Sequence, residues 1–78
     1  MTTVYLRNMK KGQKGRVVAV TAAGELGRRI CDVGINPGTI IEVLGRTPLK
    51  DPVSVRVHGT TLALRNKEAD HITVEVDS

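Results

Sequence analysis

Phenylalanine and tryptophan are absent from this 78-residue chain, and Tyr5 is its only aromatic residue. A core without large rings must be assembled from Val, Ile and Leu, each worth about 1.5–3 kcal/mol when fully buried. The shortage also weakens one functional class. Small proteins that grip single-stranded nucleic acid stack bases on aromatic side chains, and one tyrosine is a poor platform. Cysteine is almost missing as well. Cys31 stands alone, so no disulfide can brace the chain internally, and nothing in the thiol usage signals an oxidising compartment. No apolar run approaches the roughly 20 residues that span a bilayer. The opening "MTTVYLRNMKK" has no apolar stretch of the signal-peptide kind. The expected location is the cytoplasm, and the expected organisation is a single domain over residues 1–78.

Charge is present but uneven. The net charge is +4. Residues 1–39 hold seven Lys/Arg against Glu25 and Asp32, a local +5, whereas residues 40–78 hold five basic against six acidic side chains. Such an excess suits an acidic partner, a phosphate backbone, an anionic membrane or simply a solvated face. Its densest part is "KKGQKGRVVAV" (10–20), where Gly12 and Gly15 punctuate a turn ahead of β-branched residues. RNA-binding barrels of the KOW type begin in this way, and a small nucleic-acid-binding barrel is the alternative reading of the chain. Barrels that bind no RNA begin in the same way.

The rest of the chain reads as short strands and one helix. Residues 1–4 and 77–78 are expected to be loose ends. Leu6 and Met9 are spaced to cap a core from a single helical turn. Strands are expected over Arg16–Val20, Thr39–Leu44 and Val53–Val57, then over Leu62–Leu64 and Ile72–Val76, where apolar and polar residues alternate. Pro37-Gly38 satisfies a type II turn, and His58-Gly59 a two-residue hairpin turn. "NKEAD" (66–70) permits one helical turn with Asn66 as N-cap. Between the first two strands, Leu26, Ile30 and Val33 recur at helical spacing and predict a helix over Glu25–Val33, with Gly34 as its left-handed C-terminal cap. Five strands and an interposed helix predict an all-β fold, a small five-stranded SH3-like barrel lidded by that helical stripe.

Chemistry-bearing constellations are scarce. "GQKGRV" has the wrong spacing for a P-loop, and no nucleophile has an evident base, so catalysis is not expected. Cys31, His58 and His71 are the borderline metal ligands, yet none shows ligand spacing, and a site would have to assemble from distant segments. At 100° per residue Cys31 flanks the helical stripe, where a thiol serves as a small apolar filler. Asp32 sits in the last turn of the helix, which disfavours an acid. Arg28 and Asp32 are paired in the weaker i, i+4 order. Either Asp32 accepts a hydrogen bond from neighbouring backbone in the Ile35–Gly38 turn, which is the simpler account, or a partner uses this face. Arg28 and Arg29 read as exposed.

The order of the pieces is distinctive. Arg28-Arg29 leads into Asp32-Val33-Gly34, followed by Pro37-Gly38-Thr39, then Pro48-Leu49-Lys50-Asp51-Pro52, then Leu64-Arg65-Asn66-Lys67-Glu68-Ala69. In register, from Leu6 onward, they closely resemble FeoA-type domains of bacterial ferrous iron transport. The resemblance implies an SH3-like barrel and a cytosolic, non-enzymatic accessory protein. It implies as partner the cytoplasmic portion of a large membrane Fe(II) transporter with a G-protein domain. No cofactor is required, while direct binding of Fe(II) or another divalent transition metal stays open. A similar domain closes metal-dependent repressors of the diphtheria-toxin-repressor type, but this chain has no room for their helix-turn-helix part. Cys31 stands where the family usually carries Leu. The expected contact surface comprises Arg28 and Arg29, the loop Lys50, Asp51 and Pro52, Arg65, and the apolar Ile40 beside Glu42. Asp32, Gly34, Pro37 and Gly38 are expected to shape the turn that follows the helix.

Overall fold

Alternating burial organises the sheet. In β4 (Val53–Val57) all three valines are buried and Arg56 between them is exposed, and in β6 (Ile72–Val76) Ile72, Val74 and Val76 are buried in the same manner. The computed structural model describes residues 2–46 and 52–77. With β1 (Thr2–Tyr5), β2 (Lys14–Val20), β3 (Ile40–Arg46) and β5 (Thr60–Leu64) they form one antiparallel sheet in the order β1-β6-β2-β3-β4-β5. Irregularities between Val17 and Ala19 and between Val43 and Gly45 interrupt the register, and such bulges bend a sheet and increase its twist.

Two expectations are corrected here. The sheet has six strands, not five, because the segment expected to be loose forms β1 and pairs with β6 from Thr2↔Val76 to Tyr5↔Thr73. Its residues are mostly exposed, so no apolar alternation marks it, and the pairing supplies what its side chains do not. The sheet also does not close: β1 and β5 each have one partner strand among the described residues. The architecture is therefore a six-stranded antiparallel sheet of SH3-like kind with few helices, and not a closed five-stranded barrel.

Gly15 shows how tightly β2 is gripped. A Cβ there would lie 2.6 Å from the Glu75 carbonyl oxygen and 2.8 Å from a methyl of Val76. Gly15 faces Val76 on one side and Ile41 on the other. Close backbone approach, not RNA recognition, requires this glycine.

The core is aliphatic throughout. Leu6, Val17, Ile30, Ile35, Ile41, Val43, Val55, Ile72 and Val74 have essentially no exposure, and Met9 packs with them. Leu6 reaches the core from a one-turn 3₁₀ helix (Leu6–Asn8). The helix α1 runs Gly24–Asp32, one residue earlier at each end than expected. Ile30 is fully buried and Leu26 packs at the core's margin, but Val33 is 43% exposed. Val33 is the C-cap, with φ −83° and ψ 1°, so the helical period no longer directs it inward. The lid is made of two residues, not three.

The C-terminus of α1 is a Schellman motif. Ile35 N–H donates to the Ile30 carbonyl at 3.2 Å and Gly34 N–H to the Cys31 carbonyl at 3.0 Å, with Gly34 at φ +96°. Ile30 and Ile35, the apolar pair that accompanies such a cap, are both buried. The short helix α2 (Asn66–Ala69) has Arg65, not Asn66, at its N-cap. Asn66 already has helical geometry, and a carboxylate three residues on from Arg65 takes over the cap.

Candidate functional site

That carboxylate belongs to Glu68, which is buried. Its Oε1 accepts the Arg65 backbone N–H at 2.9 Å, while its Oε2 lies 4.0 Å from Arg29 Nε. One acidic side chain thus ties the start of α2 to the outer face of α1. Nearby, Arg7 after β1 makes a two-pronged contact with Asp70, 3.1 and 3.0 Å from its two oxygens. Neither link was expected. Arg7 and Asp70 are far apart in the chain, and Glu68 has the spacing of a capping box without its Ser or Thr.

The double arginine is therefore asymmetric. Arg29 leans on Glu68, whereas the Arg28 side chain makes no hydrogen bond or ion pair among the described residues. Asp32, four residues on, is exposed and does not engage Arg28. It does not hold the following turn either. Thr39 does: its hydroxyl donates to the Gly34 carbonyl and accepts the Asn36 N–H, both at 3.2 Å. Pro37 and Gly38 form the expected turn, with Gly38 at φ +96° and Thr39 N–H closing on the Asn36 carbonyl at 2.9 Å.

Ile40 is 49% exposed. It separates two open grooves, one walled by Lys14, Arg16, Glu75 and Asp77, the other by Lys14, Glu42, Arg56 and His58. The cations of the opening stretch are thereby interleaved with carboxylates. In register Lys14 stands opposite Glu42 and Arg16 opposite both Ile40 and Glu75. Arg65 is exposed at the head of α2 and Pro52 is half-buried just before β4, while Lys50 and Asp51 lie outside the described residues.

The three candidate metal ligands occupy separate elements. Cys31 is on α1 and exposed, so it does not serve as the small apolar filler expected at the flank of the stripe. His58 occupies the β4–β5 turn with φ 53°, and a Cβ on Gly34 would meet its ring carbon at 3.2 Å. His71 precedes β6, its Nδ1 3.4 Å from the Thr21 hydroxyl. Among the described residues no group of three or more His, Cys, Asp or Glu is gathered to hold a metal ion. Among the described residues no helix is long and apolar enough to cross a membrane.

An SH3-like antiparallel sheet whose core takes Ile30 from one short helix, with exposed arginines and an exposed isoleucine on its surface, defines a small mostly-β domain. The FeoA domain model matches residues 4–76, and the chain belongs to the FeoA domain family. A fusion of Fe(2+) transport protein A with the Fe(2+) transporter FeoB, from Porphyromonas gingivalis, is 33% identical over 73 residues. That match takes in 94% of this chain and 9% of the fusion protein, so the chain spans about a tenth of the length of the curated relative it matches. The solution structure of an FeoA-like protein from Clostridium acetobutylicum is 36% identical with a TM-score of 0.89, covering 97% of this chain and 90% of that one. FeoA of Stenotrophomonas maltophilia in complex with zinc, described as a prokaryotic SH3 domain protein, shares the fold with a TM-score of 0.79. Its identity is 24%, covering 96% of this chain and 91% of the other.

Proposed function

We propose that the chain is a non-enzymatic accessory module of ferrous iron uptake, working in the cytoplasm on the cytoplasmic part of a membrane Fe(II) transporter with a G-protein domain. The single observation that carries this reading is the Porphyromonas gingivalis fusion, which joins an A-type protein and the transporter in one polypeptide. Tethering raises the effective concentration of a partner without any new contact, which favours joining domains that already work side by side. Fe(II) enters as the transporter's cargo. The proposed contact residues are Arg28 and Arg29 on α1, Arg65, Pro52 and Ile40, together with Lys50 and Asp51, which lie outside the described residues. The test is capture of the transporter's purified cytoplasmic part on immobilised protein, with and without guanine nucleotide. Capture in at least one nucleotide state is expected, weakened by joint replacement of Arg28 and Arg29 with Glu. No capture in either state rejects the reading.

A further inference from the structure

The outer face of α1 borders a cleft of about 320 Å³, lined by Val20, Ala22, Gly27, Cys31 and Pro37 with Arg28 at its side. Its floor is closely packed, since a Cβ on Gly27 would sit 2.5 Å from the Ala22 carbonyl oxygen. Helix and strand connection are already in contact there. Arg28 is the one charged residue among the described residues that line the cleft, and its side chain has no partner among the described residues. Its neighbour Arg29 is turned to Glu68 instead. The remaining lining is almost wholly aliphatic, with the thiol of Cys31 at one wall.

We infer that this cleft docks an apolar peptide segment bearing a carboxylate, contributed by the transporter's cytoplasmic part, with the carboxylate on Arg28. This deepens the proposed function and rests on it for the identity of the partner. The charge logic is simple. An apolar occupant alone would leave the guanidinium stranded at a drying rim, and a basic one would be repelled. A carboxylate pairs with it through two parallel N–H···O bonds, and such planar recognition belongs to Arg and not to Lys. Of the two arginines, Arg28 is the recognition cation, and Arg29 is turned toward Glu68.

Two measurements test this. In the first, amide shifts are followed on adding blocked hexapeptides that alternate leucine with glutamate, glutamine or lysine. The glutamate peptide is expected to move the amides of Ala22, Gly27, Arg28 and Cys31, and the glutamine peptide to bind about tenfold more weakly, as loss of a charged hydrogen bond implies. Arg28→Glu should reverse the preference toward the lysine peptide. Equal binding of glutamate and glutamine peptides, or shifts elsewhere, overturns the cleft. In the second, maleimide modification of Cys31 is timed with and without the transporter's purified cytoplasmic part. Protection lost in Arg28→Glu is expected. Capture of the transporter with no protection of Cys31 overturns the cleft as its contact and leaves the proposed function standing. No capture by the unsubstituted protein, beside a glutamate peptide that maps to the cleft, supports the cleft's chemistry and removes the transporter as its occupant.

Discussion

The Arg29 guanidinium and the Glu68 carboxylate lie 4.0 Å apart, with the first side chain 73% exposed and the second only 6%. The inequality decides where the energy resides. An ion pair with one mostly solvated member contributes little, typically below about 1 kcal/mol. The backbone cap that Glu68 makes with Arg65 is shielded from water and worth more. Glu68 therefore stabilises chiefly as the cap of α2 and secondarily as a tether for Arg29.

Glu68→Ala is expected to cost about 1–2 kcal/mol, the ordinary loss for a missing helix cap. Glu68→Gln, which keeps an oxygen acceptor, should cost less, and Arg29→Ala should fall below about 0.5 kcal/mol. Urea denaturation of the three variants gives the ranking. Equal losses for Arg29→Ala and Glu68→Ala would mean that the ion pair, not the cap, carries the effect.

The helix lid makes a sharper contrast. Ile30 has no exposure and Val33 is 43% exposed. Ile30→Ala should lose about 2–5 kcal/mol, enough to unfold much of a domain whose core supplies only about 3–5 kcal/mol. Val33→Ala should stay within about 0.5 kcal/mol. Thermal unfolding of both variants checks this, and a large loss at Val33 would restore it to the lid.

What the residues reveal unaided follows from the range of the interactions involved. The β4 strand, the His58-Gly59 turn and the Pro37-Gly38 turn are set by neighbours in the chain, and each was readable from alternation or turn chemistry. The C-terminal cap at Gly34 was readable for the same reason. The strand β1 was not, because its place is made by pairing Thr2 with Val76 across the whole chain. Val33 was misplaced by a helix that ends one residue sooner than the apolar period suggests. At the site, exposed Arg28 and Ile40 could be picked out from their residue types. The division of labour between Arg28 and Arg29 could not, since it depends on where α2 sets Glu68.

His58 and Gly34 offer a test of how the β4–β5 turn packs on the loop after α1. Gly34→Ala meets two obstacles, the left-handed backbone at φ +96° and the His58 ring at 3.2 Å. The first costs about 1–2 kcal/mol for any L-residue. The second should disappear when His58 is also replaced by Ala. A double-mutant cycle on stability is expected to give a coupling of about 0.5 kcal/mol or more. Zero coupling would show that the ring swings aside without cost.

The basic opening of the chain still has to be weighed against nucleic acid. Lys14 faces Glu42 across β2 and β3, and Arg16 faces Glu75 across β2 and β6. A phosphate track cannot run along cations spaced with carboxylates, because each acid repels the backbone its neighbour attracts. Within the opening stretch Lys10 and Lys11, exposed in the turn before β2, have no acidic cross-strand neighbour among the described residues, and Tyr5 on the edge strand β1 is the one Phe, Tyr or Trp ring for stacking. Affinity for single strands falls with log salt at a slope near −0.7 per phosphate neutralised. Two lysines therefore imply a slope of about −1.4 and negligible retention near physiological ionic strength. Fluorescence anisotropy with an oligouridylate across a salt series measures it. A slope steeper than about −3, with binding that survives physiological salt, would show at least four cations acting together and return the chain to the nucleic-acid-binding barrels its opening stretch resembles.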